Sequence, residues 1–177
     1  MGSICTACFN SGDKPKNSVL VVGNDRSLKI KIYEHLTKKT ISRNSNDKQT
    51  KHDMSKFLLK NNKEYFLSIL LGEEKEIEGY EGAEEIVETN MQHSNCIIVA
   101  LDSNNETSQE FLKYKSLEYS KKGKHVLFII NHEEMEKELR HMKEDQKIEE
   151  LIIHNVKNEE ELMKDDGVLE NFIISID

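Results

Sequence analysis

The chain has 177 residues, of which 33% are charged and 36% are hydrophobic, and its formal net charge is −8. This length corresponds to one domain with room for a hydrophobic core. No stretch approaches the about 20 consecutive apolar residues of a membrane-spanning helix, and no apolar region of a secretory signal peptide follows Met1. Two of the three cysteines stand near the start, which excludes a disulfide framework and indicates a reducing, cytoplasmic compartment.

An acylation signal is predicted at the start of the chain. The pattern M-G-x-x-x-[ST], which directs N-myristoylation of Gly2, is matched by the first six residues, MGSICT. Cys5 and Cys8 stand directly behind it, where a reversible palmitoyl chain can be attached. One myristoyl chain binds a membrane only marginally, so stable anchoring takes a second signal. We predict lipidation at all three positions; the alternatives are a chance match or a vector remnant, and a zinc site at the two cysteines lacks a second ligand pair.

Charge is unevenly distributed along the chain. Residues 1–63 contain 13 Lys and Arg and 5 Asp and Glu, which gives a net charge of +8. Because the whole chain has a net charge of −8, residues 64–177 have a net charge of −16. A basic N-terminal half is what a protein lying on an anionic leaflet presents. The alternative is that these lysines are solvated positions of helices and loops.

The first half of the chain predicts an arm, a strand and a helix. Residues 1–17 form a small, polar N-terminal arm, and residues 18–177 form the domain. Ser18–Gly23 is a continuous apolar run that ends at glycine, which predicts a central parallel strand. Apolar residues at spacing four predict a helix from Ser27 to Thr37. The polar residues 42–53 predict a mobile loop.

A hairpin and a regular alternation of elements follow. Ser55–Lys60 and Glu64–Leu71 flank an Asn-Asn-Lys turn, which predicts an antiparallel pair. The glutamate-rich residues 73–94 are predicted to be a second loop. The remaining pattern predicts strands and helices in turn over Asn95–Leu101, Thr107–Lys122, His125–Ile130, Glu133–Gln146, Glu150–Val156 and Asn158–Ile174. This order predicts an α/β domain with a mostly parallel six-stranded sheet, one antiparallel edge hairpin and helices on both faces.

Ligands of such sheets bind beyond the carboxyl ends of the strands. The residues at these ends include Gly23-Asn24-Asp25, Asp102 and Asn131-His132-Glu133-Glu134. Together with the order of elements, they resemble a Ras-like small GTPase, and the N-terminal glycine adds a likeness to the Arf branch. The resemblance covers about residues 17–174. It implies a P-loop GTPase architecture in which every family motif has lost some of its characteristic residues.

The phosphate loop of that family is G-x-x-x-x-G-K-[ST], which cradles phosphate and holds magnesium. The resemblance places it at residues 23–30, where Gly23 and Lys29 match. Leu28 replaces the second glycine, and Ile30 replaces the hydroxyl that coordinates magnesium. The alternative is an ordinary strand–turn–helix junction with a surface lysine.

The magnesium and water-positioning residues of the family are also altered. In the family motif D-x-x-G, Gly72 matches the glycine and Ile69 stands in place of the aspartate. The position of the glutamine that orients water falls near Glu74, whose charge would repel γ-phosphate. Phosphoryl transfer depends on the metal for positioning and charge neutralisation. We therefore predict no catalytic residues, no metal site and no efficient GTP hydrolysis.

Guanine recognition in the family uses N-K-x-D, to which Asn131-His132-Glu133-Glu134 corresponds, with only the asparagine kept. The final S-A-K motif resembles Asn155-Val156-Lys157. If a nucleotide binds, the resemblance implies that the contacts come from Gly23, Lys29, Asn131, Glu134 and Lys157. The alternative is that these are ordinary polar strand ends, with no cofactor.

The sequence thus favours a lipid-anchored pseudo-GTPase on the cytoplasmic face of a membrane, acting as an adaptor or scaffold without nucleic acid. Its predicted protein contacts are the hairpin edge and the loops 42–53 and 73–94. One alternative is an atypical magnesium-independent guanine-nucleotide switch. A receiver-like signalling domain using Asp25, Asp102 and Lys157 is a third reading, against which the hairpin and the length count. A structural subunit of a larger assembly fits equally well.

Overall fold

A computed structural model of the chain describes residues 17–41, 52–70, 83–102, 106–149, 151–156, 162–164 and 167–175. Within these ranges a single sheet is formed by six strands: β1 (Ser18–Gly23), β2 (His52–Leu58), β3 (Glu64–Leu70), β4 (Cys96–Leu101), β5 (His125–Ile130) and β6 (Leu151–Asn155). Their order is β2-β3-β1-β4-β5-β6, and every neighbouring pair is parallel except β2 with β3. This confirms the predicted α/β sheet and places β1 in its interior.

Five helices are described: α1 (Arg26–Thr37), α2 (Ala83–His93), α3 (Glu106–Lys121), α4 (Glu133–Asp145) and α5 (Val168–Ile174). Buried side chains form two clusters, one on each face of the sheet. The first includes residues of α1 and α5, such as Ile32 and Phe172. The second includes residues of α2, α3 and α4, such as Met91, Leu112 and Leu139. The helices therefore cover both faces, as predicted.

The continuous apolar run of β1 follows from this two-sided burial. Val19 and Val21 belong to the first cluster, whereas Leu20 and Val22 belong to the second. All four are at most 1% exposed. Because successive side chains of a strand point to opposite faces, a strand covered on both faces needs apolar residues at every position.

The prediction of a loop over 73–94 is wrong for its second part, because Ala83–His93 is the helix α2. Val87 and Met91, four residues apart, are buried against the second cluster, and Ile86 packs beside them. Only a few apolar residues mark the inner face among many glutamates, so the helical period is faint in the sequence. Residues 71–82 lie outside the described part of the chain.

The hairpin is confirmed, with different bounds. β2 begins at His52 and ends at Leu58, so the predicted loop 42–53 is wrong at its last two residues, while residues 42–51 lie outside the described ranges. The turn contains Asn62 with a positive φ of 58°, as the asparagines indicated. Of the predicted closing helix, the structure describes the helical residue Leu162 and the seven residues of α5.

Candidate functional site

The junction between β1 and α1 is the first part of the candidate site at the carboxyl edge of the sheet. Only Asn24 and Asp25 separate the strand from the helix. The Asp25 carboxylate Oδ1 accepts a hydrogen bond from the backbone N–H of Leu28 at 2.9 Å and so caps α1. A helix N-terminus attracts anions because its first N–H groups lack partners within the helix. Here one of those groups binds an anionic side chain of the chain itself.

Gly23 is required by the close approach of β1 to β4. Its φ is +141°, and a Cβ atom built on it would lie 1.8 Å from the carbonyl oxygen of Ala100. The same carbonyl oxygen accepts a hydrogen bond from the backbone N–H of Asp25 at 3.3 Å. Strand packing alone therefore accounts for the glycine that the resemblance assigned to phosphate.

Asn24 joins the ends of β1 and β4. Its Nδ2 donates to the carbonyl oxygen of Asp102 at 2.9 Å, and its Oδ1 accepts from the N–H of Asp102 at 2.6 Å. The Gln109 side chain donates to the same carbonyl oxygen. Asn24 is only 8% exposed, so these bonds satisfy a buried amide. Sequence reasoning missed this role, for which the only signal was an asparagine directly after a buried strand.

Lys29 is buried, with 2% of its surface exposed. Its Nζ donates to the carbonyl oxygen of Leu70 at 2.7 Å, which ties α1 to the end of β3. In the phosphate loop that the resemblance implies, this ammonium reaches the β- and γ-phosphates. The alternative of a surface lysine at this junction is wrong, because the side chain lies inside the protein.

The positions assigned to magnesium are apolar and packed. Ile69 is fully buried in β3, opposite Val21 of β1. Leu28 is buried in the first cluster, and Ile30 packs against that cluster. Neither isoleucine has a side-chain oxygen to offer a cation. Gly72 and Glu74 lie outside the described residues.

The residues assigned to guanine recognition are spread along the same edge. Asn131 is exposed, and its Nδ2 lies 3.5 Å from Oδ1 of Asp102. α4 begins at Glu133, so Glu134 is an exposed residue of its first turn. The structure therefore brings Asn131 to Asp102 and leaves Glu134 in solvent. Asn155 at the end of β6 donates to Glu136 at 2.8 Å, and Lys157 lies outside the described ranges.

In the described part of this edge, two groups that the phosphate-loop pattern directs at a nucleotide have partners within the protein. The helix amide of Leu28 is capped by Asp25, and the ammonium of Lys29 is bound to the main chain. Two of the four residues between the glycine positions, Arg26 and Ser27, belong to α1 and not to a loop. In the described ranges, no three His, Cys, Asp or Glu side chains are grouped so as to hold a metal ion.

The predicted lipidation sites Gly2, Cys5 and Cys8 lie outside the described residues. The third cysteine, Cys96, is buried in β4, and burial raises the pKa of its thiol. A buried, protonated thiol is a poor nucleophile, so Cys96 is not an acceptor for an acyl chain in the folded protein. Across the described ranges, no helix combines the length and apolar character that crossing a bilayer takes.

Comparison with known proteins supports the fold. No family model and no curated protein matches the sequence. Among solved structures, the chain is similar to a point variant of Era from Aquifex aeolicus bound to GDP.AlF4−, with a TM-score of 0.52 and 14% identity over 78% of this chain. The match covers 50% of that protein, so this chain spans half of its length. At this identity the likeness concerns the fold alone, which is GTPase-like.

Proposed function

We propose that this chain is a membrane-tethered pseudo-GTPase, a GTPase-like domain that acts as an adaptor through protein contacts and does not hydrolyse GTP efficiently. The observation that carries the proposal is the hydrogen bond from Lys29 Nζ to the carbonyl oxygen of Leu70. It joins to the main chain the one cationic side chain that the phosphate-loop pattern retains. The Asp25 cap adds a negative charge next to the position that phosphate would occupy.

The chemistry of phosphoryl transfer supports the same proposal. Catalysis of this reaction consists of positioning and charge stabilisation, which magnesium and a lysine provide. Ile30 and Ile69 offer no metal ligand, and both contribute to the apolar packing. The hydrogen bonds between Asn24 and Asp102 join polar groups of this edge to one another without a nucleotide, which supports the proposal.

The outer strand β2 is the proposed contact for a protein partner. Within the described residues it pairs with β3 and with no other strand, and Met54 and Leu58 are 39% and 69% exposed. An edge strand of this kind can add a strand from another chain. Hydrogen exchange of the His52–Leu58 amides tests this point. Slower exchange on partner binding is expected, and protection confined to other elements would exclude β2 as the contact.

Nucleotide titration tests the pseudo-GTPase assignment. We expect fluorescent GDP and GTP analogues to show no submicromolar binding to the full chain, with magnesium or with EDTA. The reason is that the backbone N–H of Leu28 already donates to the Asp25 carboxylate, and the Lys29 ammonium already donates to the Leu70 carbonyl oxygen. Tight binding that Asn131→Ala abolishes, in a variant that unfolds like the wild type, would contradict the proposal. It would instead support a magnesium-independent guanine-nucleotide switch, because Asn131 is the retained residue of the guanine motif.

The tether has its own test in cells. Gly2→Ala is expected to remove labelling by an alkyne myristate and to move the protein from the membrane to the soluble fraction. Cys5→Ser with Cys8→Ser should leave myristate labelling intact and weaken membrane retention, since one acyl chain binds only marginally. Cys96→Ser serves as the matched control, because that thiol is buried. Equal membrane association of Gly2→Ala and the wild type would remove the anchor from the proposal.

A further inference from the structure

We draw no further inference here: the strongest candidate, the surface patch around the exposed Met54 and Leu58 on the outer strand β2, belongs to the partner contact already proposed, and nothing in the described part of the chain shows which molecule covers it.

Discussion

Gly23→Ala is expected to lower the free energy of unfolding by about 4 kcal/mol, which is a large share of the about 5–15 kcal/mol that stabilises a typical domain. The added Cβ would lie 1.8 Å from the Ala100 carbonyl oxygen, and the φ of +141° is one that alanine rarely adopts. The clash is with backbone, so no side chain can move aside. β1 would have to separate from β4 in the interior of the sheet.

The matched control is Gly123→Ala. Gly123 also has a positive φ, +81°, but a Cβ atom there would meet nothing within 4 Å. Only backbone strain is added, and we expect a loss of about 1 kcal/mol. Equilibrium denaturation followed by circular dichroism measures both variants. A Gly23→Ala protein as stable as the control would show that the glycine is not needed for strand packing, and would reopen its assignment to phosphate.

Lys29→Ala is expected to lower the free energy of unfolding by about 3 kcal/mol. The substitution removes the donor to the Leu70 carbonyl oxygen and the buried aliphatic part of a side chain that is 2% exposed. Lys29→Met keeps most of the volume and removes the ammonium, so the lost hydrogen bond alone should account for about 1–2 kcal/mol. Denaturation curves of the two variants separate packing from hydrogen bonding.

Lys121→Ala is the control for Lys29, because Lys121 is an exposed residue of the α3 terminus. A change within about 0.5 kcal/mol is expected there. The prediction for Lys29→Ala would be wrong if the variant unfolded with the same free energy as the wild type and lost a nucleotide affinity that the wild type has. That outcome would assign Lys29 to a ligand and would contradict the structural role given to it.

The Gly23 and Lys29 variants both test whether a residue that matches the phosphate-loop pattern is required by the fold. Gly23 and Lys29 are the two residues that match the phosphate-loop pattern, and each has a structural partner within the fold, Ala100 and Leu70. Either a ligand-binding role or a structural role could therefore explain why these two residues match the motif. Stability measurements distinguish the two roles, whereas a loss of activity after mutation is expected from both.

The bounds of a strand could be predicted from the sequence where the strand is buried on both faces. β1 and β5 have the predicted bounds because strands covered on both faces are apolar at every position. Prediction failed at α2, where the two buried residues Val87 and Met91 are too few to mark a period among glutamates. The start of β2 was missed because the polar residues His52 and Asp53 continue the polar stretch that precedes them in the sequence.

The sequence by itself determined the class of the domain, the alternation of strands and helices, and the absence of metal-binding side chains at Ile30 and Ile69. Those features are local or depend on residue type. Only the tertiary structure decided what Asn24, Asp25 and Lys29 bind, because the partner of Lys29 lies 41 residues away along the chain.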